Sequence, residues 1–227
     1  MQINTWGGFG LPFFYLQILT MPIPTTNATQ ELPAVNQILA SVGQAPVTTL
    51  DQTNPDVAIA YDTLLQVSKE VQAEGWTFNQ EFEYEIAVNS SKEYEIPNNM
   101  LQIDFSESYK GNIDPIRRDG KLYDRYNHTY TIGSTTSDTF KVDVVWLFDW
   151  VDLPAPIQNY MVAKAATISA QRIIGDPQLI QTLQQREALA RANALEYECN
   201  QGDYTIFGHP HGQRSYTSYK PYTALQR

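Results

Sequence analysis

Apolar residues in this chain recur at helical spacing from residue 30 to residue 75, at alternate positions from 76 to 148, and at helical spacing again from 154 to 200. A side chain returns to the same side of an α-helix about every 3.6 residues and to the same side of a strand every two, so each change of period marks a change of element. Helices at both ends of the sequence around a β block define an α+β chain. The N- and C-terminal helix pairs are expected to form one helical bundle, with an antiparallel β module inserted between them and extended terminal arms outside it. The expected segments are an N-terminal arm over 1–29, a helix pair over 30–75, the β module over 76–150, a second helix pair over 151–202 and a C-terminal docking tail over 203–227.

In the first helix, Gln30 to Val42, a face is shared by Leu32, Val35, Ile38, Leu39 and Val42. Thr29 is the expected N-cap, Pro33 falls in the first turn and Gly43 ends the run. Asn54-Pro55 reads as N-cap plus first-position proline of a second helix, which carries Val57, Tyr61, Leu64, Leu65, Ser68 and Val71 and stops at Gly75. These two helices are expected to pack as a hairpin. From Trp76 onward, Phe82, Tyr84, Ile86 and Val88 alternate with Glu81, Glu83 and Glu85, giving a strand with one buried and one solvated face. Tyr94 and Ile96 repeat the alternation, and Leu101, Ile103 and Phe105 make a third candidate strand. Asp119-Gly120 signals a two-residue hairpin, because both central positions of a type I′ turn need positive φ. Phe140, Val142, Val144, Trp146 and Phe148 form the last strand, whose other face turns from Lys141 and Asp143 to Val145 and Leu147, so its far end is buried on both sides. A third helix follows Pro154 and Pro156 to Gly175, and Asp176-Pro177 opens a fourth that reaches Asn200. That helix carries two offset stripes, Leu179 with Leu183 and then Ala188, Ala192, Leu195 and Cys199, so it is expected to touch neighbours on two sides, one of which can be another subunit.

Charge narrows the function. A formal net charge of -10 disfavours general affinity for DNA phosphates or anionic membranes, both of which require clustered Lys and Arg. Cys199 is the single cysteine, so neither an intrachain disulfide nor a multi-cysteine zinc site can form. Residues 1–30 carry no charged side chain and Phe9 to Leu19 is apolar, yet no basic start precedes the run and Pro12 interrupts it. It does not read as a secretory signal, and it is shorter than the roughly 20 residues of a membrane span. It reads as an apolar arm, with Trp6, Phe13, Phe14 and Tyr15 as one set of candidate interface anchors. Tyr204, Phe207, Tyr216, Tyr219 and Tyr222 in the tail are the other set, since aromatic side chains dominate interface energies. Arg117-Arg118, beside the hairpin turn, is the adjacent basic pair that can meet a partner's acids or a passing phosphate.

Candidate chemistry is sparse. Glu81, Glu83 and Glu85, with Asp104 and Glu107 nearby in sequence, could supply the carboxylate pair of a glycosidase, but a solvated strand face accounts for carboxylates at period two without any cleft. His209-Pro210-His211 offers two metal ligands and no third at a workable spacing. His128 and Ser134 lack a nucleophile-elbow context, and Cys199, on a stripe with alanines, reads as core. Trp6-Gly7-Gly8-Phe9-Gly10 has neither the lysine nor the preceding strand of a phosphate loop. No catalytic residue, metal site or cofactor is expected.

Several stretches carry a family likeness in combination. They are the continuous run from Glu31 to Leu50; Glu74-Gly75-Trp76-Thr77-Phe78-Asn79; Ile96-Pro97 with Leu101-Gln102-Ile103-Asp104; and Gly120-Lys121-Leu122-Tyr123-Asp124. Leu153-Pro154 through Tyr160, Ala165-Ala166 and the Gly175-Asp176-Pro177 joint to Glu196-Tyr197-Glu198 extend them. Together they resemble the tail tubular protein A family of short-tailed phages, over about residues 30–208. The resemblance implies a helical bundle with a β module, assembled below the portal protein as a closed ring of about twelve copies. It further implies a nozzle ring of the tail tubular protein B kind beneath, tail fibres anchored near that junction, and genomic DNA passing without specific binding. No cofactor and no membrane are implied; the place is the virion tail, after synthesis in the host cytoplasm. Residues 1–20 precede the usual family start, which falls near Met21, and the tail after Gly208 is longer and richer in tyrosine than the family pattern. The alternative expectation is a virion-associated protein that binds or hydrolyses glycans through the acidic β module.

Overall fold

Residues 28–51, 53–105, 115–132 and 139–202 are described by a computed structural model, and among them four helices flank five strands. In chain order these are α1 (Ala28–Ser41), α2 (Pro55–Ala73), β1 (Gln80–Ala87), β2 (Met100–Phe105), β3 (Pro115–Arg118), β4 (Lys121–Asp124), β5 (Thr139–Trp146), α3 (Ala155–Ile173) and α4 (Pro177–Gly202), an α+β fold. α2 starts as its sequence dictates: the Asn54 side-chain oxygen accepts the Asp56 N–H at 3.1 Å, and Pro55 takes the first position, where no backbone donor is needed. α1 departs from expectation. It begins at Ala28, so Thr29 lies inside the helix instead of capping it, and Pro33 falls one turn further in, where its nitrogen has no hydrogen for the carbonyl four residues back.

Val35, Ile38 and Leu39 of α1, Val57, Leu64, Val67 and Val71 of α2, and Ile157, Tyr160, Met161 and Ala165 of α3 bury together in one core. α1 and α2 touch as a hairpin, but α3 packs on both more extensively and is the centre of the bundle. A second core fills the β module with Ile86, Tyr94, Ile96, Met100, Leu122, Phe140, Val142, Val144 and Trp146, and Phe148 reaches both cores. β5 is the middle strand of an antiparallel sheet ordered β1-β5-β2. Val145 is buried on the opposite face of β5 from Val144, beside Gly75 at the end of α2, which is the two-sided burial expected at the far end of that strand. Asp119 and Gly120 have φ of 52° and 71°, closing the β3–β4 hairpin with Arg118 opposite Lys121. Tyr94 and Ile96 do not extend into a strand. They buckle the hairpin onto the module, with the Ile96 N–H donating to the Gly120 carbonyl at 2.7 Å and the Leu122 N–H to the Tyr94 carbonyl at 3.0 Å.

The alternation in β1 breaks at a β-bulge. Glu81 lies opposite Val144 and Tyr84 opposite Val142, three steps on β1 against two on β5, and Glu83 adopts φ of 55°. An extra residue reverses the facing of everything before it. Phe82, expected on the buried face, is therefore 45% exposed, and Glu81 shares a face with Tyr84 instead of with Glu85.

Bundle and module are joined by buried amides. Asn79 is 1% exposed; its Oδ1 accepts the Trp76 N–H, and its Nδ2 donates to the Gln72 carbonyl of α2 and the Trp146 carbonyl of β5, each at 2.8 Å. Gln72, fully buried, accepts the Phe148 N–H at 2.8 Å and donates to the Phe148 carbonyl at 3.2 Å. On the other side Glu198 of α4 accepts the Thr77 N–H at 3.0 Å and the Thr77 hydroxyl at 3.0 Å.

Glu31, at the start of α1, is 5% exposed and accepts the Tyr61 hydroxyl at 2.7 Å. Burial lifts its carboxyl above the ordinary 4.5, the Tyr61 bond works against that rise, and the Asp149 charge adds to it. A raised folded-state value means that the folded chain holds the proton more tightly than the unfolded one. Stability is then full below the unfolded value and falls as pH climbs through the folded one. Glu31→Gln keeps an oxygen for Tyr61 and removes the buried charge. The variant is expected to resist urea better than the wild type at pH 7, with the difference vanishing near pH 3–4, roughly the range below ordinary glutamate titration. A difference that is the same at both pH values contradicts the burial cost.

Candidate functional site

α4 spans 26 residues, about 39 Å at a rise of about 1.5 Å per residue, and buries only a narrow seam of Leu183, Ala194, Glu198 and Gly202. Leu183 packs with Val42 and Ala170, and half-buried Leu179 and Ile173 join them, so the first sequence stripe is covered within the chain. Arg191 adds a polar clamp, donating to the Tyr160 hydroxyl at 2.7 Å and to the Glu74 carboxylate at 3.1 Å. The second stripe is uncovered: Ala188, Ala192, Leu195 and Cys199 lie in exposed positions spaced four, three and four residues apart, with Leu189 beside them. Leu189 is 65% and Leu195 45% exposed. Single exposed leucines are common on soluble surfaces; here two stand together with Ala188, Ala192 and Cys199 on one helix. Cys199, expected in the core, sits on this row instead, because Glu198 takes the inward position to reach Thr77.

A cavity of about 570 Å³ opens in the β module between β1 and the β3–β4 hairpin, lined by Tyr84, Ile86, Ile96, Pro97, Met100 and Trp146 with Glu85, Glu95, Asp119 and Lys121 among its polar members. The Tyr84 phenol stands edge-on to Trp146, ring centroids 5.2 Å apart, and burial together with the Glu81 charge raises its pKa, keeping it protonated. Lys121 donates to Glu93 at 2.6 Å; that bond pulls the Glu93 carboxyl below its usual range and raises Lys121 above its own.

The two arginines expected at an interface have different fates. Arg117 is spent internally, donating to the Met100 carbonyl at 2.7 Å and to Asn98 Oδ1 at 3.2 Å. Arg118 lies 4.2 Å from the Tyr123 ring centroid, an exposed cation–π contact that leaves its guanidinium edge open to solvent. Glu83 and Glu85 both approach Lys141, at 3.4 and 3.8 Å, whereas Glu81 faces the other way. Asp104 and His128 are exposed. Trp6, Phe13, Phe14, Tyr15, Tyr204, Phe207, Tyr216, Tyr219 and Tyr222 lie outside the described residues, as do Glu107, Ser134, His209 and His211. Among the described residues no three His, Cys, Asp or Glu side chains gather in a metal-binding group, and no helix is long and apolar enough to cross a membrane. The residues whose roles sequence reasoning missed are Gln72, Asn79 and Glu198, since buried amides and carboxylates carry no periodic signal.

No curated protein matches the chain. The tail tubular protein family model matches residues 32–204, from the first turns of α1 to just beyond the end of α4, and so covers the bundle and the β module together. That family pattern, over most of the length of an α+β chain, makes it a member of the tail tubular protein family, a structural protein of the bacteriophage tail.

Proposed function

We propose that this chain is the portal-to-nozzle adaptor of a short-tailed phage, the A kind of tail tubular protein, assembled as a closed ring of about twelve copies through which the genome is ejected. The observation that carries this reading is the uncovered apolar row on α4, since the other large apolar stripes of the described helices are satisfied internally. A single copy leaves Leu189 and Leu195 in water; a neighbouring copy that covers them gives a heterologous contact, and such contacts close into a ring when the rotation per copy allows. Portal and nozzle, and the tail fibres near their junction, then dock on the rims. The five segments outlined by sequence divide the labour: bundle and module build the ring wall, while the arm over 1–29 and the tail over 203–227 reach partners. Trp6, Phe13, Phe14 and Tyr15 anchor one arm, and Tyr204, Phe207, Tyr216, Tyr219 and Tyr222 the other, on the portal or an adjacent subunit. Arg118, with its open guanidinium edge, is the better placed of the two arginines for a partner's acids. The net charge of -10 suits a conduit in which DNA slides without sticking.

The glycan reading needs two carboxylates converging on one cleft. Glu81 and Glu85 on opposite faces of β1, with Lys141 between Glu83 and Glu85, favour a solvated strand.

Particle imaging of the purified protein mixed with its portal is the direct test, with a ring stacked on the portal as the expected image. Deleting residues 203–227 is expected to weaken portal binding by about thirtyfold or more, since a hot-spot aromatic is worth about 2 kcal/mol. Unchanged portal binding by the shortened chain removes the tail from the docking role.

A further inference from the structure

The cavity in the β module plays no part in the ring contact on α4. Ile86, Ile96, Pro97 and Met100 give it an apolar wall; Glu85, Glu95 and Asp119 make its polar lining acidic, and Lys121, the cation in that lining, is held by Glu93. Trp146, 1% exposed, closes the wall, and its Nε1–H has no acceptor among the described residues. A buried indole N–H ordinarily finds an acceptor, and the indole of Trp76 does so at the Val71 carbonyl, 2.7 Å away. The Trp146 donor is left unsatisfied in a residue that lines the cavity.

We propose that this cavity seats the C-terminal segment of a copy of this chain, residues 203–227, with a tyrosine ring against the apolar wall and the basic residues of the segment beside Glu85, Glu95 and Asp119. The inference rests on the docking-tail reading above and narrows it to one seat. Charge complementarity supports it: from Tyr204 onward the segment holds Arg214, Lys220 and Arg227 and no acid, with Tyr216, Tyr219 and Tyr222 interleaved among the basic residues. The uncharged arm over 1–30 has no such match for an acidic lining. Size agrees as well, since about 570 Å³ falls within the roughly 300–1,000 Å³ of sites that enclose a side chain or small ligand. So does reach. The Glu198–Thr77 bonds set the end of α4 beside the turn that leads into β1, and the cavity begins at Tyr84, about 13 Å along that strand from Gln80 at about 3.3 Å per residue. A 25-residue segment can extend to roughly 80 Å.

The test uses the full-length chain and a zero-length carbodiimide, which joins an amine to a carboxylate in contact with it, followed by peptide mass mapping. Lys220 is expected to couple to Glu85, Glu95 or Asp119, and a Tyr216→Ser, Tyr219→Ser, Tyr222→Ser variant, which retains Lys220, is expected to lose that coupling by about fivefold or more. Backbone hydrogen exchange over residues 84–88 and 95–97 is expected to quicken several-fold in the same variant. Coupling of Lys220 to other carboxylates only, or coupling and exchange indifferent to the tyrosine substitutions, overturns the proposal. The assembly state, measured by native mass on the same samples, separates the two ideas: a ring without the coupling removes the seat alone, and a monomer that couples removes the ring alone.

Discussion

Asn79→Ala is expected to lower the unfolding free energy by about 2–4 kcal/mol, a large effect for a substitution that removes no apolar packing. The side chain is buried, and truncation strands the Trp76 N–H while taking a donor away from the Gln72 and Trp146 carbonyls. Those two carbonyls belong to the end of α2 and the end of β5, so the loss falls on the seam between bundle and module as well as on the turn itself. Denaturant unfolding followed by tryptophan fluorescence reads both consequences, because Trp76 sits in the bundle core and Trp146 in the module core. A midpoint shift corresponding to less than about 1 kcal/mol would mean that the seam is held by something other than these hydrogen bonds.

Leu189→Lys combined with Leu195→Lys is expected to abolish ring formation and leave the isolated fold almost untouched. Both side chains are exposed in the single chain, so lysine costs it no more than about 0.5 kcal/mol. In a contact that covers them, each buried leucine contributes about 1.5–3 kcal/mol and each buried charge opposes it, which weakens every subunit contact by at least about a hundredfold. Mass photometry or sedimentation at a concentration where the wild type is assembled checks it. Rings that persist with two lysines on the row place the lateral contact elsewhere.

The helices were legible because their signals are local and redundant. The Asn54-Pro55 and Asp176-Pro177 starts fall at helix starts, and Gly43, Gly75 and Gly175 each take positive φ at a helix end. The Asp119-Gly120 turn was equally plain, for a two-residue turn with both φ positive admits few other dipeptides. The β1 pattern misled at Phe82 because a bulge is invisible to an alternation that continues in sequence while slipping in register. Cys199 misled for a related reason: a stripe shows which residues lie in line, not whether the line faces the core or a partner. The apolar stripes of α4 could therefore be read as stripes, and only packing distinguished the covered one from the open one. Gln72, Asn79 and Glu198 left no trace in hydrophobic periodicity, since their work is to satisfy backbone groups where two elements meet.

The slip in β1 also bears on which contacts copies of this chain can avoid. β1 is an outer strand of its sheet, and a flat outer strand invites a second molecule to zip on through its free amides and carbonyls. Here the extra residue at Phe82-Glu83 kinks that strand, and charged Glu83 and Glu85 stand along it. A crooked, negatively charged margin keeps stray molecules from polymerising sheet to sheet.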